Sequence, residues 1–217
     1  MVAWYAVVPH VPYIGHRWNV ALVAIVVLPG TMLLILWALP LWTRRRLWIA
    51  VVALALLAFL FTVLDWGLPA NFAKLFAAAL AGWAFLMLFE ALSWVVMIAL
   101  VIPLVDIVSV WRGPTHAITE HHFAVYTNVS VAFVVPGGGA AYLGPPDILF
   151  FALFLAAAAR WGLRVNWTWA AMTFMYALTV VVANAAGVGG LPALPFLSFG
   201  FLAANGDLLW RRLRHSS

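Results

Sequence analysis

Two aspartates interrupt apolar stretches of this sequence, and together they have the groups needed for acid/base chemistry. Asp106 lies within the run from Val101 to Trp111, and Asp147 opens the apolar run that follows Gly144-Pro-Pro. A carboxylate in a hydrocarbon layer is energetically costly, so each is a functional hypothesis by default. Two carboxyl groups a few ångströms apart cannot both ionise and therefore share one proton. Such a pair can activate water with one member and protonate a carbonyl or leaving amine with the other.

The composition of the chain indicates a membrane protein. Of its 217 residues, 67% are hydrophobic and 8% are charged, and the mean hydropathy is +1.10. A soluble globular domain is only about half apolar. The absence of cysteine excludes disulfides, thiolate metal ligands and cysteine nucleophiles. The net charge of +5 comes from arginine clusters beside apolar runs, a pattern typical of membrane topology rather than of nucleic-acid binding.

Seven apolar segments reach or approach the ~20 residues that a membrane-spanning helix needs. They cover residues 19–41, 47–65, 71–90, 93–111, 147–162, 166–186 and 191–210. We therefore predict an all-α polytopic membrane protein that forms a single membrane domain, residues 1–217. It consists of an amino-terminal three-span part, 1–92, and a part that holds both aspartates, 93–217. Pro69 is expected to prevent helical structure at Leu68.

The distribution of basic residues predicts the orientation of the chain. Seven spans place Arg17, Lys74 and Arg112 on one side of the membrane. The other side receives eight arginines: Arg44, Arg45, Arg46, Arg160, Arg164, Arg211, Arg212 and Arg214. Because the more basic side faces the cytoplasm, we expect a cytoplasmic carboxy terminus and both aspartates near the outer face. The expected location is the plasma membrane of a prokaryote.

The long connection between the fourth and fifth spans carries a β pattern. Residues 123–135 keep apolar or β-branched side chains at odd positions, and Pro136-Gly-Gly-Gly139 supplies a turn. Residues 140–143 are long enough to return beside this strand, so we predict a small β-hairpin next to the aspartates. An unpaired edge of the hairpin would accept an unwound peptide as a further strand. If the aspartates cleave a helical membrane segment, that segment must first unwind, because an intact helix hides its amide bonds.

The same residues also have simpler interpretations. Asp147 would be the N-cap of a helix after two turn prolines, and Asp106 would hydrogen-bond a neighbouring helix. The segment Leu191-Pro-Ala-Leu-Pro195 would be a proline-kinked helix start. Its prolines are expected to leave backbone carbonyls near Ala193 without helical donors.

Further polar groups lie outside these segments. Four side chains of the outer loop have the chemistry to bind zinc, namely His116, Glu120, His121 and His122. A polar loop explains them equally well, and we predict no metal. Glu90 is expected at a loop boundary rather than in a proton relay. Asp207 and Arg211 have i,i+4 spacing and are expected to form a surface ion pair.

Three motifs follow one another along the chain: Val105-Asp106, Gly144-Pro-Pro-Asp147 and Leu191-Pro-Ala-Leu-Pro195. They resemble the Tyr-Asp, Gly-x-Gly-Asp and Pro-Ala-Leu motifs of the presenilin and signal peptide peptidase family of intramembrane aspartyl proteases. Two predicted spans separate the second aspartate from Pro-Ala-Leu, as in that family. The resemblance covers residues 93–210. The chain differs from the family pattern at Val105, at Pro146 and in having seven predicted spans instead of nine.

The resemblance implies a presenilin-like arrangement of spans and a protease that cleaves within transmembrane segments. Asp106 and Asp147 would be the catalytic residues. The residues implied to lie against the substrate are Gly144, Pro192, Ala193 and Leu194. The implied partners are transmembrane-helix proteins or peptides in the lipid bilayer, with no cofactor and no nucleic acid. Two alternatives are a catalytically inactive presenilin-like scaffold and a small proton-coupled transporter.

Overall fold

The computed structural model describes residues 2–43, 46–112, 123–188 and 191–215. In this part of the chain, seven long helices coincide with the seven apolar segments. One short helix precedes the first long helix, and another precedes the β-hairpin. In chain order, the helices are α1 (Val2–Val7), α2 (His16–Thr43), α3 (Leu47–Val63), α4 (Gly67–Leu86), α5 (Leu92–Arg112), α6 (Phe123–Val129), α7 (Pro145–Arg160), α8 (Val165–Ala185) and α9 (Leu194–His215).

Four of the described helices are long and apolar enough to cross a membrane, namely α2, α4, α5 and α8. The most exposed of them is α5, where only 11% of the apolar window is buried inside the protein. Soluble monomers rarely leave an apolar helix this exposed. The helical content and these four helices together indicate an α-helical membrane protein.

The helix at the centre of the bundle is α7. Every residue from Phe151 to Ala158 is buried, as expected for a helix that is apolar on all faces and surrounded by others. It packs against α4, α8 and α9, whereas α3 packs against α4 and α5 packs mainly against α9. Asp147, the third residue of α7, is therefore carried by the most enclosed helix.

Gly82 allows α4 to approach the backbone of α7. A Cβ atom added at this position would overlap the backbone carbonyl oxygen of Leu149. We expect Gly82→Ala to lower the thermal unfolding midpoint of the purified protein, because overpacking a core costs ~1–3 kcal/mol. The matched control is Gly206→Ala in α9, where nothing lies within 4 Å of the added Cβ and alanine favours the helix. Equal unfolding midpoints for the two variants would contradict this close contact.

The predicted β-hairpin is present in a shorter form. Strand β1 (Val131–Val135) pairs antiparallel with β2 (Gly139–Leu143), and the last pair of the register joins Val135 to Gly139. In the turn, Gly137 and Gly138 have φ angles of 87° and 83°. Glycine adopts such positive angles without the steric penalty of other residues, which explains the glycine run in the sequence.

The first half of the predicted strand is helical instead. Residues 123–129 form α6, so the prediction of a strand beginning at residue 123 is wrong. Alternation over a short window does not distinguish a strand from two helical turns. Val125 and Val129, four residues apart, are both exposed on one side of α6, whereas Tyr126 is half-buried. Exposed residues at this four-residue spacing, next to a half-buried Tyr126, fit a helix with one exposed side and one covered side.

Prolines lie inside the first turns of α4 and α7 rather than before these helices. Pro69 is the third residue of α4, so the expectation that it prevents helical structure at Leu68 is wrong, although the chain does turn just before this helix, over residues 64–66. Pro145 and Pro146 are the first two residues of α7. A proline in a first turn sacrifices no helical hydrogen bond, because the first N–H groups of a helix have no partner within it.

The outer edge of β1 is covered by side chains from α1 and α4. The Tyr5 hydroxyl donates to the carbonyl of Ala132, and the Trp4 indole donates to that of Val134 at 3.0 Å. Burial raises the pKa of Tyr5 to about 12, so this hydroxyl remains a donor at neutral pH. Asn71 accepts the Ala132 N–H at 3.0 Å. In the described part of the chain, the sheet has two strands, and the outer edge of β1 is occupied by these side chains.

Candidate active site

The two aspartates singled out in the sequence lie near each other at one end of the bundle. Asp106 comes from α5 and Asp147 from α7, and both side chains are half-buried. Their carboxyl groups are close enough to interact electrostatically. Among the described residues, neither forms a salt bridge with a lysine or an arginine. The pair is thus not neutralised by a nearby cation from this part of the chain.

Asp106 is held by the start of α9. Its Oδ2 accepts a hydrogen bond of 3.0 Å from the backbone N–H of Leu194, the first residue of that helix. The first N–H groups of a helix lack intrahelical partners and carry the positive end of the helix dipole, so they suit a carboxylate acceptor. Pro192, Ala193 and Leu194 are all buried. The Pro-Ala-Leu segment therefore lies directly against the first aspartate.

The polar group that this segment offers is an N–H rather than a carbonyl. The carbonyl of Ala193 accepts the N–H of Leu197 at 3.0 Å, so the expected lack of helical donors near this residue does not apply to Ala193 itself. The reason is that helix α9 begins directly after Ala193, and Pro195 occupies its second position, where no N–H is needed. The prolines leave the helix intact and expose its first donor to Asp106.

Asp147 is held by two donors from different elements. Its Oδ2 accepts a hydrogen bond of 3.0 Å from the Tyr176 hydroxyl in α8. The backbone N–H of Gly144 donates to the same carboxylate. Because Gly144 is the N-cap of α7, the interpretation of Asp147 as the N-cap is wrong. Asp147 is the third residue of the helix and bonds back to the N-cap N–H, as in a capping box.

A second tyrosine faces the pair from α6. Burial, followed by the charge of Asp147, raises the pKa of the half-buried Tyr126. Its ring meets that of Tyr142 in β2 edge-on, with ring centroids 6.2 Å apart. This ring contact joins the hairpin to α6, whose Tyr126 lies within electrostatic range of Asp147.

Neither Tyr176 nor Tyr126 stands out in the sequence as a candidate site residue. A tyrosine in an apolar helix has the same sequence signature as an ordinary core aromatic, because its hydroxyl partner comes from elsewhere in the chain. One signal was present in α8: its buried polar side chains recur at intervals of three to five residues and form one face, namely Thr168, Thr173, Tyr176 and Thr179. A polar face on a membrane helix predicts a polar neighbour.

The remaining candidate groups lie elsewhere or outside the described residues. Glu90 is exposed in the turn between α4 and α5, as predicted. Asp207 pairs with Arg164 through two contacts of 2.7 Å, so the predicted pairing with Arg211 is wrong. Arg164 lies just before α8, which packs against α9 and so brings Asp207 within reach. The planar guanidinium group of Arg164 can bond both oxygens of a carboxylate. The loop side chains considered for zinc lie outside the described residues: His116, Glu120, His121 and His122.

Fold and site together define an α-helical membrane protein in which two separate helices bring an aspartate each to one end of the bundle. No protein-family model matches the chain, and no curated protein matches its sequence. What the chain can do chemically follows from the geometry of the aspartate pair and from the motifs around it.

Proposed function

We propose that the chain is an intramembrane aspartyl protease that hydrolyses peptide bonds within transmembrane segments of other membrane proteins. The observation that carries this proposal is that α5 and α7 pack against each other and bring Asp106 and Asp147 within electrostatic range. The hydrogen bond from Leu194 to Asp106 joins the first and third motifs, and the electrostatic interaction between Asp147 and Asp106 brings in the second. This supports membership of the presenilin and signal peptide peptidase family, which the motifs resemble.

The proposed reaction needs one proton shared between the two carboxyl groups. The ionised carboxylate takes a proton from water while the water oxygen attacks the carbonyl carbon of the scissile peptide bond. The protonated carboxyl simultaneously gives its proton to the carbonyl oxygen, and a tetrahedral diol forms. In its collapse the C–N bond breaks, the amine receives the proton taken from water, and a diol hydroxyl returns a proton to the other carboxylate. The pair is then again singly protonated.

All seven long helices are proposed to span the membrane, including α3 with 17 residues and α7 with 16. Arg160, at the end of α7, donates to the carbonyl of Leu86, at the end of α4, over 3.0 Å. This contact supports a shared membrane face for the ends of those two helices. The arginine-rich end is then cytoplasmic, and the aspartate pair lies toward the outer face.

Two departures from the family motifs are compatible with the proposal. Pro146 is the second residue of α7, where neither an N–H nor a positive φ is required. The side chain of Val105 is 54% exposed, so this position points away from the enclosed part of the bundle. The substrate is proposed to add as a strand beside β2, since side chains already cover the outer edge of β1.

The test uses the full chain, purified and reconstituted in lipid vesicles with a single-span model substrate. Mass spectrometry is expected to find products cut inside the span, with one heavy oxygen in the new carboxyl group when the water is isotopically labelled. The double variant Asp106→Asn/Asp147→Asn serves as the blank for co-purified proteases. Wild-type cleavage no greater than this blank would overturn the proposal. Proton-driven flux without cleavage would instead support the transporter, and helix binding alone the scaffold.

Gly144 is expected to matter through the space that it leaves for Asp147. Its φ of −68° suits any residue, but an added Cβ would lie 3.3 Å from Oδ2 of Asp147. We expect Gly144→Ala to reduce kcat roughly tenfold, because small displacements of a reacting group cost up to about a hundredfold. Gly206→Ala, which meets nothing within 4 Å, should retain the wild-type kcat. A wild-type kcat for Gly144→Ala would show that this space has no catalytic importance.

A further inference from the structure

We infer that Tyr176 is a positioning residue for the aspartate pair, which it serves by fixing the orientation of the Asp147 carboxylate. The inference rests on the proposed function and adds to it a side chain from α8, a helix that contains none of the three motifs. The hydroxyl of Tyr176 donates to Oδ2 of Asp147 at 3.0 Å. The tyrosine is 4% exposed, so its ring is enclosed by protein and has little freedom to rotate.

The groups around Asp147 leave this task to few side chains. Asp106 approaches from α5, Tyr126 from α6 and Tyr176 from α8, and the Gly144 N–H donates from the start of α7 itself. Asp106 repels a negative charge on Asp147. In the described part of the chain, the Tyr176 hydroxyl is the side-chain donor that bonds Asp147 directly. A phenol is a suitable donor because it binds a carboxylate without neutralising it, whereas a lysine or arginine would abolish proton sharing.

Positioning by Tyr176 has a direct consequence for the reaction. A carboxylate that activates water must hold the water within hydrogen-bonding distance of the scissile carbonyl, and misplacement by about 1 Å costs up to about a hundredfold in rate. The Gly144 N–H restrains Asp147 from its own helix, while Tyr176 restrains it from α8. Helix α8 packs against both α7 and α9, and α9 supplies the donor to Asp106. Tyr176 thereby links the positions of the two aspartates.

A neighbouring threonine provides the matched control. Thr179 lies three residues further along α8, is 4% exposed, and donates its hydroxyl to the Met175 carbonyl within the same helix at 3.0 Å. Thr179→Val removes this buried hydroxyl with little change in shape and without touching either aspartate. Tyr176→Phe likewise removes a hydroxyl and keeps the ring. Any difference between the two variants therefore reports the contact with Asp147.

Two measurements on the full chain test the inference. With the model substrate, Tyr176→Phe is expected to lower kcat roughly tenfold or more, with KM and the thermal unfolding midpoint unchanged. Infrared titration follows the protonated carboxyl of Asp147, identified by its loss in Asp147→Asn. Its midpoint is expected to move to higher pH in Tyr176→Phe, since the phenol favours the ionised form. Thr179→Val should match the wild type in both measurements.

The two readouts separate this inference from the proposed function. If the wild type cleaves and Tyr176→Phe matches it in kcat and in the infrared midpoint, the role of Tyr176 is wrong. If the wild type does not cleave but the infrared midpoint moves, the protease proposal fails and the positioning of Asp147 by Tyr176 stands. A fall in kcat shared by Thr179→Val would indicate general damage to α8 and would also overturn the inference.

Discussion

Replacement of Asp106 or Asp147 by asparagine is expected to abolish cleavage of a transmembrane substrate, with a fall in kcat of about a thousandfold or more. An amide neither takes a proton from water nor donates one to a carbonyl oxygen with useful strength. In the proposed mechanism the two carboxyl groups act as one unit on one proton, so each single variant should lose nearly as much activity as the double variant. The measurement is initial-rate cleavage at saturating substrate for the wild type, both single variants and the double variant.

The asparagine variants should remain folded. An asparagine oxygen still accepts a hydrogen bond, so the Leu194 N–H keeps an acceptor at position 106 and the Tyr176 hydroxyl keeps one at position 147. Thermal unfolding midpoints close to that of the wild type would confirm this. Asp207→Asn is the matched control, because Asp207 pairs with Arg164 toward the other end of α9 and should leave kcat unchanged. Substantial cleavage by either single variant would rule out a shared-proton mechanism.

The features that could be predicted from the sequence are those in which one residue or segment is costly or favourable by itself. A carboxylate in an apolar run is costly wherever it lies, so Asp106 and Asp147 were recognisable. Apolar length likewise located the long helices, and a glycine run located the turn of the hairpin. These signals are local, and later packing does not change them.

The features that could not be predicted depend on a partner far along the chain. Tyr176 has an ordinary sequence context, and its importance comes from Asp147, 29 residues away. The donor to Asp106 is a backbone N–H 88 residues further on, which no side-chain pattern reveals. Asp207 had a suitable partner at i,i+4 but pairs with Arg164 across the packed helices α8 and α9. Helix α6 also replaced a strand, because the half-buried face that contains Tyr126 lies against the site.

Leu194→Pro is expected to lower kcat about a hundredfold, because it removes the N–H that holds Asp106. Misplacement of a reacting group by about 1 Å costs up to about a hundredfold in rate, and this N–H holds Asp106 in place. Helix α9 should survive the change. Leu194 is its first residue, where proline is favoured and the missing N–H has no intrahelical partner. The preceding residue, Ala193, lies outside the helix, as a residue before proline requires.

The side chain of Leu194 is buried, so its loss must be separated from the loss of the N–H. Leu194→Ala provides this separation, because it shortens the side chain while it keeps the donor to Asp106. We expect it to lower the thermal unfolding midpoint, since large-to-small changes in a core cost ~2–5 kcal/mol, but to retain most of the kcat at a temperature where it is folded. Leu194→Pro should show the opposite balance, with a modest change in midpoint and a large loss of kcat. If both variants cleave at the same rate, the N–H of Leu194 does not hold Asp106 for catalysis, and the Pro-Ala-Leu segment acts through packing alone.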